Sequence, residues 1–139
     1  MDKYGLVGYP LGHSFSRDFF NEKFKNEGIN AEYVNFEIPS IERFPEIITE
    51  NANLCGLNVT IPYKKEVIPF LDELSPAAAR LGAVNTIVRR DGKLIGHNTD
   101  YFGFRRLVQE SGLQVAGKKV LVLGSGGASS TAVAVLQEL

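Results

Sequence analysis

Short apolar segments alternate with helix-compatible segments along this chain, and this alternation limits the fold more than any other feature of the sequence. Residues 4–8, 31–38 and 55–61 have the apolar pattern of strands, and a helix-compatible stretch follows each of them. Strands that alternate with helices in this way are typical of an α/β protein, in which helices cover an open sheet. We therefore expect an open α/β domain.

Capping residues predict where several helices begin and end. Ser16 is a candidate N-cap for the helix after the first strand, and Ser75 is the predicted N-cap of a helix that stops at Gly82. Asp100 begins a further helix, which ends the first α/β unit. We expect residues 1–112 to form the first domain.

A hairpin is predicted within that unit. Residues 84–89 and 93–96 are short strand-like segments that flank Arg90, Asp91 and Gly92. An Asp-Gly pair between two such segments is typical of a tight β-hairpin turn.

A second unit begins after the first domain. Residues 120–123 are a continuous apolar run, which predicts a parallel strand covered on both faces, and the chain is compatible with a helix from Ser129 onward. A complete β-α-β unit takes about 30 residues or more, and fewer remain. We expect residues 113–139 to be the truncated start of a second domain, with an open strand edge that favours self-association.

The charge balance excludes several classes of partner. The 139 residues include 15 basic and 16 acidic residues, which gives a formal net charge of −1. Without an excess of Lys and Arg, the chain lacks the attraction that dominates binding to nucleic acids and anionic membranes. No apolar run approaches the ~20 residues that span a bilayer. We expect small-molecule or protein partners, with no nucleic acid and no membrane.

The cysteine and histidine content favours a cytoplasmic protein without a metal site. Cys55 is the single cysteine and cannot form an internal disulfide, and no secretion signal opens the chain. Its place beside a strand favours a small buried side chain over a nucleophile. His13 and His97 lack spaced carboxylate or thiolate partners, so we predict that neither binds a metal.

The segment GLNVTIPYKK brings polar side chains to the end of a predicted strand. Asn58 and Thr60 lie two residues apart and therefore on one face, and Lys64 follows the carboxyl end of the strand. Open α/β sheets bind ligands at the carboxyl ends of their strands, and three hydrogen-bonding groups there suit a polyhydroxylated ligand. The alternative is that Lys64 and Lys65 are solvated lysines at the start of a helix.

Two further segments, GAVNT and GHNTD, place Asn85 and Asp100 beside glycines and apolar residues. Both are candidate site residues. The alternative for Asp100 is that its side chain only caps the helix that it begins.

A glycine-rich turn follows the apolar run 120–123. The turn comprises Gly124, Ser125, Gly126, Gly127 and Ala128. Such a turn can bring backbone amides close to a pyrophosphate, and the following helix adds its positive N-terminal dipole. The pattern is GxGxxS, because Ser129 replaces the third glycine or alanine, and no lysine follows as a Walker loop requires. The alternative is a tight strand-to-helix turn without a ligand.

The segments GYPLGHSFS, GLNVTIPYK, GAVNT, GHNTD and VLGSGGAS occur in this order, and together they resemble the shikimate dehydrogenase family. The resemblance extends over essentially the whole chain. It implies an α/β substrate-binding domain followed by the first strand-helix unit of a Rossmann-like NADP-binding domain, with the active site between the two domains. It also implies the reversible reduction of 3-dehydroshikimate to shikimate by NADPH.

The resemblance also assigns roles to residues. The implied substrate-binding set consists of hydroxyl and amide side chains: Ser14, Ser16, Asn58, Thr60 and Asn85. The two serines resemble the pair that holds the substrate carboxylate, and the other three resemble residues that bind ring hydroxyls. Lys64 and Asp100 resemble the catalytic pair, and residues 124–128 resemble the turn that binds the cofactor phosphates.

Three residues depart from the family pattern. Arg17 stands where proline is common, Phe20 stands where histidine is common, and Ser130 stands where many members have an arginine in the glycine-rich segment. None of them belongs to the implied catalytic pair. Two alternatives stay open: a quinate/shikimate dehydrogenase with relaxed cofactor use, and a non-catalytic module that binds shikimate-like carboxylates.

Overall fold

The computed structural model describes residues 1–12 and 14–139. Its strands are β1 (Asp2–Gly8), β2 (Ala31–Glu37), β3 (Leu54–Val59), β4 (Glu73–Leu74), β5 (Thr86–Arg90) and β6 (Lys93–His97). They form one sheet in the order β2-β1-β3-β5-β6-β4. β1 is parallel to β2 and β3, whereas β5 is antiparallel to β3 and β6, so the sheet is mixed.

The helices alternate with these strands. They are α1 (Phe15–Glu27), α2 (Phe44–Glu50), α3 (Pro76–Leu81), α4 (Asp100–Glu110) and α5 (Gly127–Glu138), with short 3-10 helices at Ile41–Arg43 and Ile68–Phe70. The predicted α/β class is confirmed. The sequence does not predict β4, because a strand of two residues is too short to show a period.

Helices cover both faces of the sheet. Neighbouring side chains along β1 point to opposite faces, and those on each face pack against a different helix. Val7 is fully buried in the main core, which also contains Phe44 and Ile47 of α2. Leu6 belongs to the opposite face, where Phe20 and Phe24 of α1 pack. The sheet is therefore the middle layer of the fold.

The predicted hairpin is confirmed. β5 and β6 pair from Thr86 opposite His97 to Arg90 opposite Lys93. Asp91 and Gly92 both have positive φ angles, 52° and 75°. Two such residues form the turn whose twist matches that of the flanking strands.

One of the predicted helix caps is wrong. Ser14, whose backbone is extended, occupies the N-cap position of α1, so Ser16 lies inside the helix. The prediction that Asp100 begins a helix is confirmed, since it is the first residue of α4; Thr99 occupies the N-cap position, so the alternative that Asp100 only caps this helix is wrong. Ser75 does cap α3, since its hydroxyl accepts a hydrogen bond from the Ala78 amide at 3.2 Å.

The predicted strand at residues 120–123 is also wrong. None of the described strands pairs with this segment, and Leu121 and Leu123 are largely exposed. A parallel strand forms only where a neighbouring strand supplies backbone partners, and an apolar run alone cannot supply them. The predicted helix is present as α5, and it packs on α3 and α4 with Val135 fully buried.

Two findings concern the expectations of no membrane contact and no metal site. Within residues 1–12 and 14–139, no helix is long and apolar enough to cross a membrane. No group of three or more His, Cys, Asp or Glu side chains in the same part of the chain could hold a metal ion. His13 lies outside the described residues, so the expectation for it stays a prediction.

Candidate active site

Four chain segments meet at one edge of the sheet. β1, β3 and β6 end at this edge, and β5 begins there because it runs in the opposite direction. Backbone hydrogen bonds join the segments: the Val59 amide donates to the Asn85 carbonyl at 2.8 Å, and the Asn85 amide donates to the His97 carbonyl at 3.0 Å. The polar residues that follow or precede these strand ends are therefore held close together.

Lys64 and Asp100 form an ion pair at this edge. Lys64 Nζ donates to Asp100 Oδ2 at 2.6 Å, and the two side chains are 19% and 39% exposed. The Lys64 carbonyl accepts a hydrogen bond from the Val84 amide at 2.7 Å, which fixes the backbone beneath the pair. Lys64 is therefore not a solvated lysine, whereas Lys65 is exposed and contacts only the Ser125 carbonyl, at 3.3 Å, among the described hydrogen-bond partners.

Asn98, and not Asp100, supplies the side chain that binds a free backbone amide in the first turn of α4, so the Asp100 carboxylate is available to Lys64. Asn98 is 2% exposed, and its Oδ1 accepts from the Tyr101 amide at 3.0 Å while its Nδ2 donates to the Ala83 carbonyl at 3.1 Å. Sequence reasoning missed Asn98. The available signal was an asparagine two residues before a predicted helix start, since asparagine is a preferred capping residue.

Asn85 is bound to the same loop through its side chain. Its Nδ2 donates to Thr99 Oγ1 at 2.7 Å, and its Oδ1 accepts from the Thr99 amide at 2.8 Å. These two bonds place the Asn85 amide next to the residue that precedes Asp100.

Asn58 lies deeper along β3, where Tyr33 of β2 contacts it. The Tyr33 hydroxyl donates to Asn58 Oδ1 at 2.8 Å. Tyr33 is 3% exposed, and burial raises its pKa to about 12, although the neighbouring Ser16 hydroxyl acts in the opposite direction. Sequence reasoning used Tyr33 only as part of a strand pattern, and nothing in the sequence connects it with Asn58.

The loop after β1 ends at Ser14, whose hydroxyl has an unmet hydrogen-bonding capacity. Ser14 Oγ is buried and has no partner among the described residues. The loop is anchored by the Leu11 amide, which donates to Glu37 Oε2 at 2.6 Å. A buried hydroxyl without a partner is costly, and an oxygen atom of a ligand would satisfy it.

A cleft of about 1190 Å³ joins the predicted catalytic pair to the glycine-rich turn. Its lining includes Thr60, Lys64, Asp100, Gly126, Gly127 and Ala128. Gly124 and Ser125 line a neighbouring cavity of about 540 Å³. Asn58 lines a third cavity of about 580 Å³, beside Tyr33. Ser14, Ser16 and Asn85 line none of these three cavities, so the structure brings together only part of the predicted set in one cavity.

The start of α5 touches Lys64 directly. A Cβ atom at Gly127 would lie 3.1 Å from Cβ of Lys64 and 3.3 Å from its Cδ. That distance is shorter than ordinary van der Waals contact, so the close approach depends on glycine. The glycine-rich turn therefore packs on the side chain of the predicted catalytic lysine.

An ion-pair network holds the other end of α5. Glu138 accepts from Arg80 Nη1 at 2.6 Å, from Arg105 Nη1 at 3.1 Å and from the Tyr101 hydroxyl. The Tyr101 hydrogen bond is the largest cause that lowers the pKa of Glu138, and the two arginines act in the same direction. The network connects α5 to α3 and α4.

The chain is similar in sequence to known proteins. The family model described as the shikimate dehydrogenase substrate binding domain matches residues 6–87. A relative named shikimate dehydrogenase (NADP(+)), from Halothermothrix orenii, is 45% identical over 139 residues, which cover 95% of this chain and 46% of the relative. The chain thus spans about half the length of the curated relatives that it matches.

Solved structures share the fold. Shikimate dehydrogenase 1 from Peptoclostridium difficile superposes with a TM-score of 0.88 at 40% identity, over 99% of this chain and 52% of that one. Shikimate 5-dehydrogenase from Thermus thermophilus, solved in complex with NADP(H) and shikimate, gives a TM-score of 0.83 at 34% identity, over 99% and 52%. Because the family model matches more than half of its residues, this chain belongs to the shikimate dehydrogenase family.

Proposed function

We propose that this chain is the substrate-binding half of an NADP-dependent shikimate dehydrogenase, which reversibly reduces 3-dehydroshikimate to shikimate. The observation that carries the proposal is the Lys64–Asp100 ion pair at 2.6 Å, in a cleft that also contains the glycine-rich turn. The names of the relatives and the ligands of the Thermus thermophilus enzyme support the choice of substrate and cofactor.

Lys64 and Asp100 have complementary chemical roles in this proposal. When a ketone accepts a hydride, its oxygen becomes an alkoxide and needs a proton donor beside it. A protonated Lys64 can supply that proton, and the carboxylate of Asp100 at 2.6 Å holds the ammonium group in place. In the oxidative direction the neutral amine of Lys64 accepts the proton from the substrate hydroxyl, while the hydride leaves for NADP.

The substrate-binding residues follow from their hydrogen-bonding capacity. We assign the substrate carboxylate to the hydroxyls of Ser14 and Ser16, since the buried Ser14 Oγ has no partner among the described residues. Asn58, Thr60 and Asn85 are assigned to the ring hydroxyls, because Thr60 lines the cleft of the catalytic pair, Asn58 lies two residues before it on β3, and Asn85 precedes β5, which pairs with β3. Amides and hydroxyls can both donate and accept, which suits a polyol.

The glycine-rich turn has the features that a dinucleotide needs. Gly124 has a φ of 126°, and a Cβ at Gly126 would meet nothing within 4 Å, so the backbone there is open to a phosphate. No acidic residue occupies the first turn of α5, so nothing opposes an anion at that N-terminus. Residues 124–128 would hold the pyrophosphate of NADP. The bound NADPH supplies the hydride.

The division into domains is part of the same proposal. Residues 1–112 form the substrate-binding and catalytic domain of a cytoplasmic enzyme, and residues 113–139 begin its NADP-binding Rossmann-like domain. Since the relatives are about twice as long, the 139 residues alone should bind shikimate weakly and transfer no hydride. Exposed Leu121 and Leu123 should also promote self-association of the isolated chain, which light scattering would detect.

The test is a shikimate oxidation assay with the full-length protein. We expect NADP reduction that depends on shikimate, with a higher kcat/KM than for quinate and than with NAD as the cofactor. A preference for quinate or for NAD would assign the protein to the relaxed type instead. Shikimate binding without any turnover would support the non-catalytic alternative, and the absence of binding would contradict both.

A further inference from the structure

Tyr33 is a buried polar residue that the proposed chemistry does not use. Its hydroxyl donates to Asn58 Oδ1 at 2.8 Å, across the β1 strand that separates β2 from β3. A tyrosine hydroxyl keeps its proton at physiological pH, and burial raises the pKa of Tyr33 further, to about 12. It can therefore act as a permanent hydrogen-bond donor to Asn58.

Two neighbouring residues of α1 hold Tyr33 in this position. The Phe20 ring stacks on the Tyr33 ring at a centroid distance of 4.9 Å and an angle of 22°. Asn21 binds the Tyr33 backbone twice: Nδ2 donates to the carbonyl and Oδ1 accepts from the amide, both at 2.8 Å. Ring and backbone are thus fixed independently, and the phenol oxygen has little freedom to leave Asn58.

The hydrogen bond determines which atom Asn58 can offer to a ligand. An asparagine amide has one oxygen acceptor and one NH₂ donor, and a rotation of 180° exchanges them. Oδ1 accepts from Tyr33, whereas Nδ2 takes part in no hydrogen bond between described residues, so in this orientation both Nδ2 hydrogens are available to a ligand. We propose that Tyr33 is a positioning residue that orients the Asn58 amide, so that Nδ2 donates to a ligand hydroxyl oxygen and the site selects for an acceptor there.

This inference rests on the proposed function, because it takes shikimate as the ligand. The test compares Tyr33→Phe with wild type in the full-length enzyme. The variant keeps the stacked ring and removes the hydroxyl, so the Asn58 amide can rotate; the contact between this hydroxyl and Ser16 is lost as well, and the double-mutant cycle below separates the two effects. We expect the KM for shikimate to rise roughly fivefold to tenfold, the effect of one lost hydrogen bond, with kcat within about twofold.

The matched control is Tyr4→Phe. Tyr4 lies opposite Tyr33 on β1 and packs in the same aromatic cluster, but its hydroxyl contacts Cys55 and forms no hydrogen bond with Asn58 among the described residues. We expect its KM for shikimate to stay within about twofold of wild type. A rise equal to that of Tyr33→Phe would overturn the proposal, since it would mean that any change in this cluster disturbs the site.

A double-mutant cycle separates positioning from a general structural effect. If Tyr33 acts through Asn58, then Tyr33→Phe should change KM less than twofold in an Asn58→Ala background. The same factor in both backgrounds, or an unchanged KM in the single variant, would overturn the proposal. Wild-type enzyme that neither oxidises nor binds shikimate would overturn the proposed function and this inference together.

A second measurement needs no variant. In NMR spectra of the wild-type protein, the side-chain NH₂ of Asn58 should shift when shikimate is added, because Nδ2 gains an acceptor. An amide signal that stays in place at saturating shikimate would overturn the inference, even when turnover confirms the function.

Discussion

Replacing Lys64 with alanine tests the proposed chemistry most directly. The change removes the proton donor and leaves Asp100 without its partner at 2.6 Å. Asp100 is 39% exposed, so water can hydrate the unpaired carboxylate, and we expect the free energy of unfolding to fall by only about 1 kcal/mol. A positioned general acid or base contributes about 10²–10⁴ in rate, or roughly 2.7–5.5 kcal/mol in the activation barrier.

The two magnitudes differ enough to be separated by experiment. Steady-state kinetics of shikimate oxidation by the full-length enzyme should show kcat reduced at least about 100-fold, with KM for shikimate changed only a few-fold. Thermal unfolding of the same samples checks that the fold persists. A variant with normal kcat and raised KM would refute the catalytic role and make Lys64 a binding residue.

Lys65→Ala is the matched control for this experiment. Lys65 is the next residue and carries the same charge, but it is exposed and contacts a backbone carbonyl of the glycine-rich turn. We expect kcat within about threefold of wild type. An equal loss in both variants would indicate that net charge in the cleft, and not a positioned donor, accounts for the effect of Lys64.

Three further results are expected. Ser14→Ala and Ser16→Ala should each raise KM for shikimate with little change in melting temperature, because neither side chain caps α1; a clear loss of stability with unchanged KM would favour a structural role. Burial raises the pKa of Tyr33 from 10.0 to about 12, so the folded state holds this proton more tightly than the unfolded state does. The resulting contribution to the free energy of unfolding is complete below pH 10 and is lost between pH 10 and about 12. In an alkaline unfolding titration over that range, Tyr33→Phe should lose less stability than wild type. Gly127→Ala should lower kcat, because its Cβ would lie 3.1 Å from Lys64; unchanged kinetics would mean that α5 moves aside without effect.

The sequence predicted most of the elements because their signals are local. The apolar runs of β1 to β3 and the Asp91-Gly92 turn depend on residues that are neighbours in the chain. Ser75 with Pro76 likewise defines the start of α3 without reference to the rest of the molecule. Such local signals need no tertiary context, so they predict the strands, the turn and this helix start correctly.

The wrong predictions arise where a distant partner decides the outcome. Ser16 is as good a capping residue as Ser14, and the path of the loop after β1 decides which of them precedes the helix. Residues 120–123 have the composition of a buried strand, but strand formation needs a second strand beside them. Tyr33 contacts Asn58 of another segment through its side chain, and no single-sequence pattern encodes such a contact.

The proposed site also explains why Lys64 lies where it does. The segment that carries it follows β3, so its backbone is fixed to the sheet edge through the Val84 amide. Its ammonium group is held by Asp100 at the start of α4, and its aliphatic stem is covered by Gly127 at the start of α5. Lys64 is thus in contact with both the sheet proposed to bind the substrate and the turn proposed to bind the cofactor. In the proposed reaction the ketone carbon receives a hydride while its oxygen receives a proton. The proton donor must therefore lie between the sheet and the glycine-rich turn. The ion pair with Asp100 and the close approach of Gly127 hold Lys64 in that position.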